Sequence, residues 1–393
     1  QSKQQKQLME KADGLVKYNF IGMALTYLFT RSVSKALTFL LVDYSCALKL
    51  SSPATYLTAI KAASNQGIVI KGSNSLDEYA QIDTFVFDKT GTITIGQPLV
   101  TDVVGDEARV LTLAASLETF SEHPLAQAVL SRAEEKGLVL SPVENFQAIE
   151  GKGVQGQIDQ QLVTLGNGKL HDGTAMDPEL EKRMVDLQKQ AKTVISLAVD
   201  GQVIGLIAIQ DAPKASSKEA IEKLKERGLK TVMLTGDNER VAQAIADQVG
   251  IDTVIADVLP QEKASAIQKL QESSKVAFVG DGINDAPALS IADVGIAMGS
   301  GTDIAIESGG IVLTQNDLLG VVRAFDMSQK TFRRILLNLF WAFIYNVAGI
   351  PIAAGVFSGI GLVLNPELAG LAMAFSSVSV LTSSLMLNFS KID

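Results

Sequence analysis

The sequence predicts an α/β core that is interrupted by an inserted α+β domain and flanked at both ends by apolar helices. Three observations predict it. From Ala212 onward, short apolar runs alternate with amphipathic helical stretches, and the runs end in turns such as Thr235-Gly236-Asp237 and Gly280-Asp281-Gly282. That alternation means a parallel sheet with helices packed on it. A further run of this kind, Thr84 to Phe87 ending on Asp88, stands apart from the others, so residues 98–211 interrupt the sheet. Finally, residues 335–357 and 360–389 contain no Lys or Arg, with Glu367 the only acid, and each exceeds the roughly 20 residues a helix needs to cross a bilayer.

Taken in order, residues 1–13 are polar and lead into an apolar stretch, Gly14 to Thr30, broken by Lys17. Arg31 to Lys35 reads as a tight turn, and a second apolar run, Ala36 to Val42, continues through Asp43-Tyr44-Ser45-Cys46 to Pro53. Two membrane helices are expected over 1–60, and polar residues with a proline inside such a helix mark an ion path. Residues 61–97 hold a connector, with a short strand near 67–72, a short helix at 76–80, and the Asp88 strand. In the insert, 108–117 and 124–136 have helical periodicity, while 146–149, 154–158 and 161–165 read as strands. Strands 193–199 and 203–209 flank Asp200-Gly201, a hairpin turn. The second part of the core, 212–332, supplies helices at 216–227, 239–249 and 262–272 and strands at 230–234, 276–279, 294–298 and 311–314. Two membrane helices close the chain over 333–393. Arg333 and Arg334 precede the first and Lys391 follows the second, which puts the soluble domains on the cytoplasmic side.

Composition narrows the function classes. The chain has 393 residues, a net charge of −9 and no basic cluster, which argues against a nucleic-acid partner. One cysteine excludes an internal disulfide framework. The opening Gln1-Ser-Lys-Gln-Gln-Lys-Gln reads as the middle of a longer polypeptide or a processed product.

The chemistry converges on strand ends. Asp88, with Lys89 and Thr90 after it, is a candidate nucleophile towards phosphorus. Alone, D-x-T suits a turn or capping aspartate. A hydroxyl and turn amides at Thr235-Gly236-Asp237 can hold a phosphoryl oxygen. Lys263, in Pro260-Gln-Glu-Lys263, can pair with phosphate or with Asp88. Gly280-Asp281-Gly-Ile-Asn284-Asp285 offers the oxygen donors that Mg²⁺ prefers. The full string Asp88-Lys-Thr-Gly-Thr-Ile-Thr94, together with these three turns, resembles the phosphorylation domain of P-type cation-pumping ATPases, which has the haloacid-dehalogenase-like fold. The resemblance implies that ATP phosphorylates Asp88, that Thr235, Gly236 and Asp237 flank the phosphoryl group, and that Lys263 neutralises it. It makes Asp281 the main Mg²⁺ ligand, helped by Asp88 and the Thr90 carbonyl, with Asn284 and Asp285 in support.

In the insert, Ser121-Glu-His123-Pro and the glycine turns Gly151-Lys-Gly153 and Gly166-Asn167 follow the order and spacing of the nucleotide-binding domain in the heavy-metal branch of that family. By this resemblance Glu118, His123, Gly151, Gly153, Gly166 and Asn167 contact ATP. For the transported ion, the branch's Cys-Pro-Cys aligns with Tyr44-Ser45-Cys46, so only the second cysteine is kept. Tyr345-Asn346 and Met373-Ala-Phe-Ser376-Ser377 resemble copper(I) motifs, and a thiolate and a thioether suit a soft ion. Asp43 suits a harder ion such as Zn²⁺ or Mn²⁺, and Lys49 is its ion-pair partner or a substitute for cargo charge. The expectation is a multi-pass protein of a bacterial cell membrane that pumps a transition metal, copper(I) ahead of zinc or cadmium. The family's actuator tripeptide Thr-Gly-Glu does not occur, so upstream helices and an actuator domain are expected partners, without which MgATP binding and phosphorylation stop short of transport. The rival readings are a soluble phosphatase of the same fold and a non-pumping membrane-bound fragment.

Overall fold

A computed structural model describes residues 3–42, 45–121, 123–149, 151–170, 176–299, 303–361 and 363–389. The chain divides into two compact units, one of residues 83–309 and 316–319, the other of residues 1–82, 310–315 and 320–393.

The first unit holds a parallel run of strands in the order Val294–Met298, Val276–Gly280, Thr84–Asp88, Lys230–Leu234, Thr253–Ile255. The Asp88 strand is central because its sequence is apolar on both faces, as a strand covered by helices on two sides must be. Every one of its residues is buried. Its register pairs Asp88 with Leu234 and Phe87 with Val279, so the turns after three strands open at the same edge. Helices Ser217–Glu226, Glu239–Val249, Lys263–Gln271 and Ala286–Ile291 connect the strands. Asn238 caps the second by accepting from the Val241 amide, and Gly250 ends it at φ +83°, the left-handed conformation glycine adopts most freely.

The insert leaves and rejoins the core through adjacent segments: the Ile95 amide donates to the Ala212 carbonyl and the Lys214 amide to that of Ile93, both at 2.9 Å. It is an antiparallel sheet ordered Leu99–Val104, Gln202–Gln210, Thr193–Val199, Gln161–Gly166, Gly153–Ile158, Glu144–Ile149. Side chains alternate across a strand, and the two faces bury different helices. Ile195, Leu197 and Val199 pack with helices Glu107–Glu118 and Pro124–Glu135. Val194 and Ala198 pack with Leu187 and Met184 of helix Pro178–Lys189. The strand at 99–104 and the helix at 178–189 were not expected. The first has Asp102 amid its apolar residues, and half of the second's residues are charged.

In the other unit, Ile68–Ile70 pairs antiparallel with Ile311–Leu313, a departure from the purely parallel expectation. The expected pair of N-terminal helices is three: Lys3–Thr30, Val33–Leu41 and Ser45–Ser64. Arg31 takes φ +54° at the first break, and Ser32 caps the next helix through the Lys35 amide. Among the described residues, two helices are long and apolar enough to cross a membrane, Leu319–Ala353 and Pro366–Leu385. The N-terminal helices do not meet that measure; Lys17 and the polar Gln4 to Lys11 dilute the first. The long helix begins well before the apolar run at Ile335, because Val321, Val322 and Phe325 are already buried and Tyr79 Oη donates to the Val321 carbonyl at 2.9 Å. It ends at Ala353 ahead of Gly355 at φ +81°, and the last helix starts only at Pro366, capped by Asn365. Three helices are tied by buried polar groups: Thr55 Oγ1 lies 2.9 Å from Ser384 Oγ, to which Asn338 Nδ2 donates at 3.0 Å. Such bonds are the glue of helices that lack a water-driven reason to associate.

Candidate active site

Asp88 closes its strand, and the chain turns at once because Gly91 takes φ +71°. A Cβ at Gly91 would lie 1.7 Å from Asp281 Oδ2. Glycine is therefore required twice, by conformation and by the approach of the second carboxylate. The far side of the turn is fastened by Asp211: Thr94 Oγ1 donates to its Oδ2 at 2.5 Å, and the Gly96 and Gln97 amides to its Oδ1 at 3.0 and 3.2 Å.

Lys263 Nζ donates to Asp88 Oδ1 and to Asp285 Oδ1, each at 2.7 Å. The other oxygen of Asp285 accepts from the Asp281 and Gly282 amides at 3.2 and 3.3 Å. One carboxylate oxygen from each of Asp88, Asp281 and Asp285 falls within 4.8 Å of the others, a donor set that fits a hard divalent cation such as Mg²⁺. The electrostatics agree. Burial, with Asp285 adding to it, pushes the Asp88 carboxyl up to about 7 against the pull of Lys263. Burial and Asp285 raise Asp281 to about 6 against the pull of Lys214. Burial alone would lower the Lys263 ammonium, but the charges of Asp88 and Asp285 outweigh it and hold it well above its ordinary value. Three carboxylates facing the ammonium groups of Lys263 and Lys214 still leave room for positive charge, and a divalent cation fits such a cluster.

On the next strand end, Thr235 is buried and its hydroxyl accepts from the Asp237 amide at 3.2 Å. Asp237 pairs with Lys89 at 2.5 Å. Gly236 sits in the same turn, where a Cβ would be 3.3 Å from the Val258 carbonyl. Thr90 is half-buried in the Asp88 turn, and Asn284 is exposed in the turn Ile283–Asp285. One residue was missed. Lys214 is buried, donates to the Gly91 carbonyl and to Asn316 Oδ1, and is lowered by burial to about 8 against Asp281 and Asp211. Its only sequence signal was an Asp-Ala-Pro-Lys string at the point where the insert returns.

In the insert, the two glycine turns form one structure. Asn167 Nδ2 donates to the Gly151 carbonyl at 2.9 Å, and strand Gly153–Ile158 pairs Gly153 with Gly166. A Cβ on Gly153 would come within 2.2 Å of the Leu165 carbonyl, and one on Gly166 equally close to that of Lys152. Glu118, at the end of its helix, is buried, and its Oε2 has no hydrogen-bond partner among the described residues. Burial raises its carboxyl, opposed by a bond to Ser121. His123 caps the following helix, Nδ1 accepting from the Leu125 amide at 3.2 Å. Burial and the nearby charge of Lys89 lower its imidazole, with Asp237 opposing, so the ring is neutral at pH 7 and keeps its proton on Nε2.

The residues expected to meet the transported ion fall in the other unit. Asp43 and Tyr44 lie outside the described residues, and Cys46 falls in helix Ser45–Ser64. Asn346 is buried, Nδ2 donating to the Ala342 carbonyl at 2.7 Å, while Oδ1 has no partner among the described residues. Met373 packs against Val42, Ala353 and Ala369. Ser376 is buried and Ser377 half-buried, whereas Tyr345 is 42% exposed and does not share the buried side of Asn346.

This fold and site define a class, and the sequence model of the haloacid dehalogenase-like hydrolases matches residues 82–293, just over half of the chain. A copper-transporting P-type ATPase of Rhizobium leguminosarum bv. viciae is 45% identical over 364 residues, 91% of this chain and 43% of that protein. A probable copper-exporting P-type ATPase of Archaeoglobus fulgidus is 44% identical over 97% of this chain and 47% of that protein. The chain thus spans about half the length of the curated relatives it matches. Among solved structures, a zinc-transporting PIB-type ATPase in its E2.Pi state aligns with a TM-score of 0.70 at 32% identity, covering 98% of this chain and 66% of that one. The catalytic CPx-ATPase domain CopB-B aligns with a TM-score of 0.53 at 33% identity, covering 69% of this chain and 98% of that one. The chain belongs to the haloacid-dehalogenase-like hydrolases and, within them, to the heavy-metal branch of the P-type ATPases.

Proposed function

We propose that this chain carries the phosphorylation domain (61–97 and 212–332), the nucleotide-binding insert (98–211) and membrane helices of an ATP-driven transition-metal pump. Asp88 attacks the γ-phosphorus of ATP; a carboxylate oxygen–phosphorus bond forms, the bond to the β–γ bridging oxygen breaks, and ADP leaves. The observation that carries this reading is the Asp88 carboxylate held at 2.7 Å by Lys263, with Asp281 and Asp285 close enough to share one cation. A Mg²⁺ held by Asp88, Asp281 and Asp285 would supply positive charge facing the transferred phosphate. Lys263 neutralises the nucleophile and the arriving oxygens, the Thr235 to Asp237 turn borders them, and Lys89 stays charged beside Asp237. Glu118, His123 and the joined turns at Gly151–Gly153 and Gly166–Asn167 hold the nucleotide.

Copper(I) is the proposed cargo. The names of the relatives at 44–45% identity support it, as do the sulfur of the half-buried Met373 and the buried carbonyl oxygen of Asn346. Zinc is the second reading, favoured by the zinc-transporting neighbour and by Asp43. Incubation of the chain with γ-labelled ATP and Mg²⁺ tests the enzymatic reading. An acid-stable, hydroxylamine-labile label is expected on the wild type and none on Asp88→Asn; label on both defeats it. Equilibrium competition in detergent between Cu⁺ and Zn²⁺, with Cys46→Ala and Met373→Leu as controls, decides the cargo.

A further inference from the structure

Two short segments from different domains face each other beside the site, and the first of them belongs to none of the phosphate, metal or nucleotide groups described above. One is the end of helix Pro178–Lys189 and the start of strand Thr193–Val199 in the insert. The other is Asp237 to Arg240 in the core. Asp237 has a hydrogen bond on each oxygen: Lys89 Nζ at Oδ2, 2.5 Å away, and Thr193 Oγ1 at Oδ1, 3.1 Å away. A second bridge runs between the same segments, from Arg240 Nη1 to Gln188 Oε1 at 3.3 Å.

From this geometry we infer that Thr193 and Gln188 are positioning residues that latch the nucleotide-carrying insert onto the Asp237 turn, so that docking is transmitted through Asp237 to Lys89, the residue beside the nucleophile. The inference rests on the reading that ATP bound to the insert phosphorylates Asp88.

The insert's half of the latch is braced. Gln188 is itself buried, and Leu187 beside it is packed under the sheet. Lys192 pairs at 2.6 Å with Asp102 of the edge strand Leu99–Val104. Thr193 therefore presents its hydroxyl from a fixed backbone. The core's half is equally fixed, because Asp237 follows the strand whose Leu234 pairs with Asp88. His123, at the nucleotide end of the insert, lies near enough to feel the charges of Lys89 and Asp237, which puts that end on the same side of the core. A threonine is well suited to this position, because its hydroxyl bonds a carboxylate without cancelling the charge that Lys89 needs. An insert moved away from the core would leave Asp237 its bond to Lys89 and remove the one at Oδ1.

Two phosphoryl donors separate docking from core chemistry: ATP, which needs the insert, and acetyl phosphate, which has no nucleotide to be carried. With Thr193→Val, the ATP concentration for half-maximal labelling of Asp88 is expected to rise about tenfold, the worth of one hydrogen bond to a charged group. Labelling by acetyl phosphate is expected to stay within about twofold of wild type on the same grounds. Thr193→Ser should restore the ATP value. Gln188→Ala and Arg240→Ala, on opposite sides of the second bridge, should each raise it and together add nothing further, since they remove one interaction. An unchanged ATP requirement in all variants, parallel losses with both donors, or additive effects of Gln188→Ala and Arg240→Ala would each overturn the latch. Absence of label on the wild type with either donor would instead defeat the reading on which the latch rests.

Discussion

At the Asp88 strand end, charge is concentrated and partnered. Lys263 is shared by Asp88 and Asp285, amides hold the second oxygen of Asp285, and Lys89 is matched to Asp237. Over residues 335–389 of the other unit the buried polar side chains, Asn338, Asn346, Ser376 and Ser384, are neutral, and Asn346 donates along its own helix while its oxygen has no partner among the described residues. The first site is proposed to do chemistry on a polyanion, which needs fixed, opposed charges whose mutual support is worth several kcal/mol when water is excluded. The second is proposed to admit and release a cation, and a site filled by its own hydrogen bonds would have nothing to offer one. The difference predicts that substitutions in the first site damage fold and activity together, and that those in the second damage only binding.

The largest effect is expected from Lys263→Met. It leaves Asp88 and Asp285 facing each other without their ammonium, and breaking a buried ion pair on one side costs about 3–5 kcal/mol. Urea unfolding of the unit that holds Asp88 should show that loss, and phosphoenzyme formation should fall at least about a hundredfold. Adding Asp88→Asn should recover part of the stability and none of the activity. A small change in both measurements would mean that the three carboxylates do not depend on Lys263. Gly91→Ala comes next. The added carbon would collide with Asp281 and be held at φ +71°. A displacement of reacting groups by about 1 Å can cost about a hundredfold in rate, whereas the backbone penalty of a left-handed alanine is about 1–2 kcal/mol. Labelling should therefore drop far more than the melting temperature does.

Much of the first site was legible in the sequence because each part is a contiguous string at the end of an apolar run. Asp88-Lys-Thr-Gly, Thr235-Gly-Asp and Gly280-Asp-Gly announce their strands and turns together, and a parallel sheet has to bring such ends to one edge. Lys214, Thr193 and Gln188 were not legible. Each is a single polar residue whose importance lies in a partner more than forty positions away, and nothing local distinguishes it from a solvated side chain. Helix Pro178–Lys189 was legible and was passed over, since Leu180, Met184 and Leu187 keep the i, i+4, i+7 spacing of one buried face and Asp177-Pro178 marks its start. At the N-terminus the break at Arg31 was legible as a turn, whereas the division between helices Val33–Leu41 and Ser45–Ser64 was not, because the apolar run there carries no turn signal that hydropathy registers.

A smaller effect follows from pH. The raised carboxyls of Asp88, about 7, and Asp281, about 6, against an ordinary 3.8, mean that the folded protein binds protons which the unfolded chain has lost. Without Mg²⁺, their contribution makes stability fall as pH rises from near 4 to near 7 and level off above it, the sign that linkage gives when the folded state holds more protons. Lys263, held above its ordinary value, stays charged throughout this window. Mg²⁺ must displace those protons, so its affinity should rise with pH, by about tenfold per unit for each proton released below 6, and flatten above 7. Calorimetric titration in buffers of different ionisation enthalpy measures the proton release directly. A pH-independent affinity would show that the carboxylates are already charged and would weaken the contrast with the neutral helices.

The smallest expected change in stability, and the sharpest test of the contrast, is Asn346→Leu. The leucine removes an oxygen that already lacks a partner and a donor whose acceptor, the Ala342 carbonyl, remains within its helix. Replacing an unsatisfied buried polar group by an apolar one of similar size is close to neutral, within about 1 kcal/mol and of either sign. If the oxygen is open because a cation uses it, Cu⁺ affinity measured by chelator competition in detergent should fall about tenfold or more, the usual consequence of losing a group in or beside a metal site. Unchanged thermal unfolding with weakened Cu⁺ binding would place Asn346 on the ion path. Strong destabilisation with unchanged binding would make it a packing residue of the helix bundle, and the second site would then resemble the first: polar groups kept because the fold needs them.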